Sequence, residues 1–125
     1  MLGDLKSRSD MGDAEAQFQL AQILQHGLGI PIDEWKALGL YHSAAAQGYE
    51  RAQFALAEIF MEGRITPQDL VRSYMWFSKV RDSSGELSLA AANSCEELAP
   101  YLSSQQRLAA IQRAQDESSA KGNDQ

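Results

Sequence analysis

The chain has 125 residues, a length that suits one domain with a buried core. Its net charge is −6, from 11 Lys and Arg against 17 Asp and Glu, and its basic residues are scattered singly. Because nucleic acids and anionic membrane surfaces select basic patches, this balance argues against both as partners. The single cysteine, Cys95, excludes an intramolecular disulfide.

The N-terminal segment lacks the apolar core of a signal peptide, and no apolar run reaches the roughly 18 residues of a membrane span. We therefore expect a cytoplasmic protein that does not bind membranes.

The chain repeats itself with a period of 36 residues. When residues 12–47 are laid over residues 48–83 without a gap, ten of the 36 positions are identical, whereas ordinary composition would give about two by chance. The identical pairs are Gly12/Gly48, Ala16/Ala52, Gln17/Gln53, Phe18/Phe54, Leu20/Leu56, Ala21/Ala57, Ile23/Ile59, Gly27/Gly63, Pro31/Pro67 and Asp33/Asp69. We therefore define repeat 1 as residues 12–47 and repeat 2 as residues 48–84, preceded by an N-terminal stub over residues 1–11.

Each repeat is predicted to form two helices. In repeat 1, apolar residues recur at three- and four-residue steps between residues 16 and 24, which indicates a helix with one buried stripe. Gly27 is placed to end this helix, and Asp33 is placed to cap the next one. Gly63 and Asp69 occupy the same positions in repeat 2.

After Gly85 the period decays, but helical spacing continues. The pattern predicts a capping helix pair over residues 85–115, interrupted at Pro100, with Ser103 or Ser104 capping the last helix. The apolar residues expected on its buried stripes are Leu89, Ala92, Leu98, Leu108, Ile111 and Ala114. Residues 116–125 are polar and are predicted to form a flexible tail.

These residues resemble the Sel1-like repeat, a relative of the tetratricopeptide repeat. The matching positions are 16–21, 27–33, 37, 41 and 44–48 in repeat 1, and 52–57, 60, 63, 69 and 76–77 in repeat 2. Leu40 stands where the family usually has Trp, and Ile65 replaces the second loop glycine. The resemblance implies an all-α fold, a short α-solenoid of two Sel1-like repeats with a degenerate C-terminal capping helix pair.

Polar residues form a further face on the first helix of each repeat. They are Glu15, Gln19, Gln22 and His26 in repeat 1, and their counterparts are Arg51, Ala55, Glu58 and Glu62 in repeat 2. The resemblance implies that these helices line a concave surface, so we expect a protein-binding groove there. Trp35 is a further possible contact residue, because its position varies in the family and its counterpart is Val71. The alternative is that Trp35 covers a neighbouring helix.

An aromatic run at residues 74–77 has a structural interpretation. Trp76 and Phe77 lie at core positions of the repeat, whereas Tyr74 and Met75 lie off those positions and are expected to be exposed.

The residues that catalysis or metal binding would need are not grouped in the sequence. Cys95 lies in the third helix pair, whereas the two histidines, His26 and His42, lie in repeat 1 and lack metal-ligand spacing. Glu58 and Glu62 are one helical turn apart, as on an ordinary solvated face. We therefore predict no catalytic, metal-binding or cofactor-binding residues.

The predicted function is a non-catalytic scaffold or adaptor that binds a peptide or protein surface in the groove. An alternative is a structural or assembly role through self-association of the repeat ends, with Phe18 and the last helix as exposed apolar ends. An enzyme is the least favoured alternative.

Overall fold

The computed structural model describes the backbone of residues 2–123 and the side chains of residues 2–116. Over these residues the chain is helical and contains no strand, as predicted. The α-helices are α1 (Leu2–Asp10), α2 (Ala14–His26), α3 (Glu34–Ala46), α4 (Glu50–Glu62), α5 (Leu70–Arg81), α6 (Ser88–Leu98) and α7 (Ser104–Asn123), with a short 3-10 helix at Ala99–Tyr101. The chain divides into two compact units, Met1–Leu56 and Ala57–Gln125, and α4 runs across their boundary.

In the helix pair α2–α3, Gly27 and Asp33 act as predicted, and Asp13 adds a cap at the start of α2. The carboxylate of Asp13 accepts a hydrogen bond from the backbone N–H of Ala16 at 3.1 Å, which caps α2. Gly27 ends that helix with a left-handed φ of 67°. Asp33 then caps α3 by accepting from the backbone N–H of Lys36 at 3.0 Å. The loop between the two helices is therefore closed by local hydrogen bonds.

The pair α4–α5 reproduces these contacts 36 residues later. Gly63 has a φ of 70°, and Asp69 accepts from the backbone N–H of Arg72 at 3.0 Å. The N–H of Asp69 donates to the carbonyl of Phe60 at 2.9 Å, as the N–H of Asp33 does to that of Leu24. The backbones of the two loops differ at Gly29, which has a φ of 86°, because its counterpart Ile65 has no positive φ. The two helix pairs therefore share their caps and their loop-closing hydrogen bond, although the loop backbone differs at this position.

In the first unit, α2 packs against both α1 and α3. Phe18 is buried, with its ring centroid 5.8 Å from that of Tyr41 and 5.4 Å from that of Tyr49. The expectation that Phe18 forms an exposed apolar end is therefore wrong, because neighbouring aromatic rings within the unit enclose it.

In the second unit, α5 is the central helix. It packs against α6 and α7, and the Ser73 hydroxyl donates to the carbonyl of Ala57 on α4 at 2.7 Å. Trp76 and Phe77 are buried as predicted, but Tyr74 and Met75 are buried as well. The expected exposure of these two residues is wrong because α6 and α7 cover the second face of α5.

The buried stripes of α6 and α7 differ from the predicted ones. Helix α6 buries Ala91, Cys95 and Leu98, whereas Leu89 is exposed. Helix α7 buries Ala110 and Ala114, whereas Leu108 is exposed. The buried stripe on α7 instead passes through Arg107, which is half-buried. Its guanidinium donates a hydrogen bond to the carbonyl of Ala99 at 2.9 Å.

Two serines were candidates to cap α7, and Ser103 is the one that does so. Its hydroxyl accepts from the backbone N–H of Gln106 at 3.0 Å, and the Gln106 side-chain oxygen accepts from the N–H of Ser103 at 2.9 Å. This reciprocal pair is a capping box. The backbone of α7 extends to Asn123, so residues 116–123 of the predicted tail have a helical backbone. Residues 124 and 125 lie outside the described residues.

Ser103→Ala should lower the free energy of unfolding by about 1 kcal/mol, because the first turn of α7 loses its cap. Ser104→Ala is the matched control, since the Ser104 hydroxyl accepts a hydrogen bond from the Arg107 guanidinium at 3.2 Å on the exposed surface. That change should stay within about 0.5 kcal/mol. Urea melts of both variants measure the difference, and a larger loss for Ser104→Ala would contradict the assignment of the cap.

Candidate functional site

The four polar residues predicted on α2 are all exposed and lie on one side of the helix. We call this set, which consists of Glu15, Gln19, Gln22 and His26, the α2 face. The Gln19 side-chain amide donates to the carboxylate of Glu15 at 3.4 Å. Because the helix is capped at both ends and packs against α1 and α3, its backbone fixes the points from which these side chains project.

Their counterparts lie along α4. We call this set, which consists of Arg51, Ala55, Glu58 and Glu62, the α4 face; Ala55 is half-buried and the other three are exposed. The pKa of Glu58 is raised above its ordinary value, first because neighbouring atoms desolvate its carboxyl and second because Glu62 is negatively charged. The C-terminal half of α4 is thus an acidic surface on which the charged form of Glu58 is disfavoured. A single concave groove formed by both faces remains a prediction.

Trp35 lies in the first turn of α3 and is exposed, so of the two interpretations of this residue the one in which it covers a neighbouring helix is not favoured. Two more large apolar side chains, Leu28 and Ile32, are exposed in the loop that precedes it. Neither residue was predicted from the sequence. The signal was present in the repeat alignment, because their counterparts in repeat 2 are the polar residues Arg64 and Gln68.

Cys95 is buried on α6, and His26 is exposed on α2 in the other unit. Burial raises the pKa of the Cys95 thiol from 9.0 to about 11, although the positive charge of Arg81 partly opposes this. A thiol with so high a pKa is a poor nucleophile at neutral pH, because the thiolate is the reactive form. Its position and ionisation are those of a core residue.

Cys95 should therefore react slowly with iodoacetamide in the folded protein. A pKa two units above the ordinary value reduces the thiolate fraction about 100-fold at neutral pH, and burial slows access further. Since the folded-state pKa is the higher one, any stability that this group contributes is present below about pH 9 and is lost as the pH rises towards 11. Mass spectrometry measures the alkylation, and equal rates in folded and urea-unfolded protein would contradict the placement of Cys95.

Metal-binding residues do not cluster in the part of the chain that the structure describes: no group of three or more His, Cys, Asp or Glu side chains is placed to hold an ion. Within the same part, none of the helices has the length and apolar character needed to cross a membrane.

Comparisons with known proteins identify the family of the chain. The Sel1 repeat family matches residues 14–49 and 50–79, more than half of the chain. A curated relative, chitin synthase regulatory factor 2 of Schizosaccharomyces pombe, is 32% identical over 72 residues, which are 53% of this chain and 14% of that protein.

Solved structures show the same fold. A protective antigen of uropathogenic Escherichia coli strains, described as having an SLR fold, has a TM-score of 0.83 and 27% identity, over 93% of this chain and 24% of the antigen. A Sel1 repeat protein from Oxalobacter formigenes has a TM-score of 0.65 and 26% identity, over 92% of this chain and 97% of that protein. This chain therefore spans only a small part of the yeast relative and of the antigen.

These matches confirm both the predicted resemblance and the predicted fold class. The matched segments begin 36 residues apart, which is the period of the internal repeat. They contain the helix pairs α2–α3 and most of α4–α5. The chain belongs to the Sel1 repeat family.

Proposed function

We propose that the chain is a non-catalytic interaction module that binds a protein or peptide partner through the α2 face and the α4 face. Sel1 repeat proteins generally act as scaffolds for protein–protein interactions. The observation that carries the proposal is how the two repeats differ. Most buried positions of α2 and α4 carry the same residue in both repeats, as in Ala16/Ala52 and Leu20/Leu56, whereas all four positions of the exposed faces differ. Packing of the repeat therefore does not fix the residues on these faces, which is what we expect of positions that contact a partner.

The α4 face favours a basic or amide-rich partner segment. Glu58 and Glu62 lie one turn apart and project from the same side of the helix. The Glu58 carboxylate is held where desolvation and a like charge both disfavour it, as the raised pKa indicates. A Lys or Arg of a partner would supply the missing opposite charge. The description of the yeast relative as a regulatory factor supports a role exerted on another protein.

The test begins with capture of partners by the full chain from its source cells, followed by purification of each partner and calorimetric titration. Glu58→Lys combined with Glu62→Lys should weaken binding at least tenfold and leave the melting temperature nearly unchanged. Raising the salt concentration should also weaken binding of the wild-type chain, because exposed charges are screened.

The matched control is Glu96→Lys combined with Glu97→Lys. These two glutamates are adjacent and exposed on α6, so this variant makes the same change in net charge outside the proposed surface. If the partner bound the α4 variant as tightly as the wild type, or if both variants lost affinity equally, the α4 face would not be the contact.

A second candidate function is assembly through self-association. It is favoured by Tyr101 and Leu108, two large apolar side chains that are exposed near the start of α7. If these residues join copies of the chain, light scattering should show a mass that rises with concentration, and Leu108→Gln should abolish the rise. A constant monomer mass would exclude this candidate.

A further inference from the structure

Three of the large apolar side chains in the first unit are exposed within one short stretch. Leu28, Ile32 and Trp35 expose 62%, 60% and 70% of their surfaces, respectively. We call these three residues the Trp35 surface. They lie in the α2–α3 loop and in the first turn of α3, outside the α2 and α4 faces.

Hydrogen bonds hold the backbone of the loop that carries these side chains. The N–H of Asp33 donates to the carbonyl of Leu24 at 2.9 Å, and its carboxylate caps α3. Ile32 lies directly over the backbone of Gly27, where an added Cβ would be only 2.8 Å from Ile32 Cγ1. A loop whose backbone is already ordered loses little backbone entropy when its surface binds.

The repeat shows that the fold does not require apolar residues here. In the equivalent loop of repeat 2, the counterparts of Leu28, Ile32 and Trp35 are Arg64, Gln68 and Val71. That loop keeps the same glycine end, the same Asp cap and the same backbone hydrogen bond between its ends. The fold therefore does not require the exposed Leu, Ile and Trp of repeat 1, and large apolar residues exposed together on one short stretch are typical of contact surfaces.

Charge indicates what kind of partner the Trp35 surface fits. Asp33 and Glu34 lie between Ile32 and Trp35, with one Lys after them, whereas the equivalent segment of repeat 2 carries two Arg and one Asp. The whole chain has a net charge of −6. A partner segment that places Lys or Arg beside its apolar side chains complements this environment.

The size of the surface indicates a short segment rather than a second folded copy. Three side chains of this kind offer on the order of a few hundred Å², whereas stable complexes of folded proteins bury roughly 800 Å² on each partner. We infer that the Trp35 surface docks a short peptide segment of a partner protein whose apolar or aromatic side chains are flanked by Lys or Arg. This contact is separate from the proposed α2 and α4 faces and does not depend on them.

The test selects binders to the full chain from a library of random short peptides and compares them on a variant that carries the repeat 2 residues. That variant combines Leu28→Arg, Ile32→Gln and Trp35→Val. It should keep the helical spectrum and the cooperative melt, because the same residues occupy these positions in the other repeat. Selected peptides should combine apolar residues with Lys or Arg, and they should bind the variant at least about 30-fold more weakly.

Tryptophan fluorescence gives an independent measurement on the wild-type chain. The chain has two Trp residues, of which Trp35 is exposed and Trp76 is buried. A selected peptide should shift the emission to shorter wavelength by covering Trp35, and Trp35→Phe should remove the shift.

Several outcomes would overturn the inference. Equal affinity of the peptides for the wild type and the repeat 2 variant would show that they dock elsewhere. Selected peptides without basic residues would contradict the partner chemistry, as would failure to select any binder. A dimer of the wild-type chain that dissociates in the variant would identify a second copy as the occupant instead. Binding that is lost with the α4 variant but not with the repeat 2 variant would support only the proposed function.

Discussion

Gly63→Ala should destabilise the protein by roughly 2–4 kcal/mol. Gly63 ends α4 in a left-handed conformation with a φ of 70°, which an L-residue adopts at a cost. In addition, a Cβ at this position would lie 2.9 Å from the backbone nitrogen and 3.0 Å from the Cα of Gln68. Backbone atoms cannot rotate away, so the loop between α4 and α5 would have to shift. Urea denaturation measures the loss.

Gly27→Ala is the matched control for this substitution. Its φ of 67° is nearly the same, so it carries the same conformational cost. Its closest clash, however, is with Ile32 Cγ1 at 2.8 Å, an atom of an exposed side chain that is able to move. Gly27→Ala should therefore cost at least about 1 kcal/mol less than Gly63→Ala. Equal losses would mean that the α4–α5 loop accommodates a Cβ as easily as the α2–α3 loop does.

Ala52→Leu should cost about 1–3 kcal/mol, because Ala52 is fully buried on α4 and extra methyl groups have no space there. Ala16 is fully buried at the same position in repeat 1. Ala55→Leu is the control on the same helix. Ala55 is half-buried on the α4 face, so this substitution should change the free energy of unfolding by no more than about 0.5 kcal/mol.

Urea melts of the two variants compare the two sides of α4 directly. If Ala55→Leu destabilised the protein as much as Ala52→Leu, the side of α4 that carries Glu58 and Glu62 would be packed rather than available to a partner. That result would weaken the proposed function together with the assignment of the helix faces.

The repeat made much of the local structure predictable from the sequence. Asp33 and Asp69 occur at equivalent positions, and each has a cap geometry that depends only on the residues next to it. The same holds for Gly27 and Gly63, since a left-handed helix end is a local requirement. Caps and helix ends that occur in both repeats and depend on only a few neighbouring residues can be predicted from a single sequence.

Features that depend on distant helices were not predictable in this way. Tyr74 and Met75 lie off the core positions of the repeat, yet α6 and α7 bury them. Helical spacing with Ile111 and Ala114 placed Leu108 on the apolar stripe of the last helix, but the buried stripe of α7 runs through Arg107 and Ala110 instead. Packing between helices decided these cases, and neither residue type nor repeat position contains that information.

The candidate surfaces also differ in how far the sequence predicts them. The exposure of Glu15 and Glu62 followed from helical spacing alone. The exposure of Leu28 and Ile32 did not, because apolar residues in a loop are ordinarily expected to pack against the helices they join. Comparison with Arg64 and Gln68 in the second repeat was the available signal.

The central claim is that the α2 and α4 faces contact a protein partner, and site-specific photocrosslinking in the source cell tests it most directly. A photoreactive amino acid is introduced at Gln22 on the α2 face, at Ala55 on the α4 face and, as a control, at Glu97 on α6. We expect one crosslinked protein, common to Gln22 and Ala55, and no such product from Glu97. Crosslinks to that protein from Glu97 alone, or none from either face, would contradict the claim.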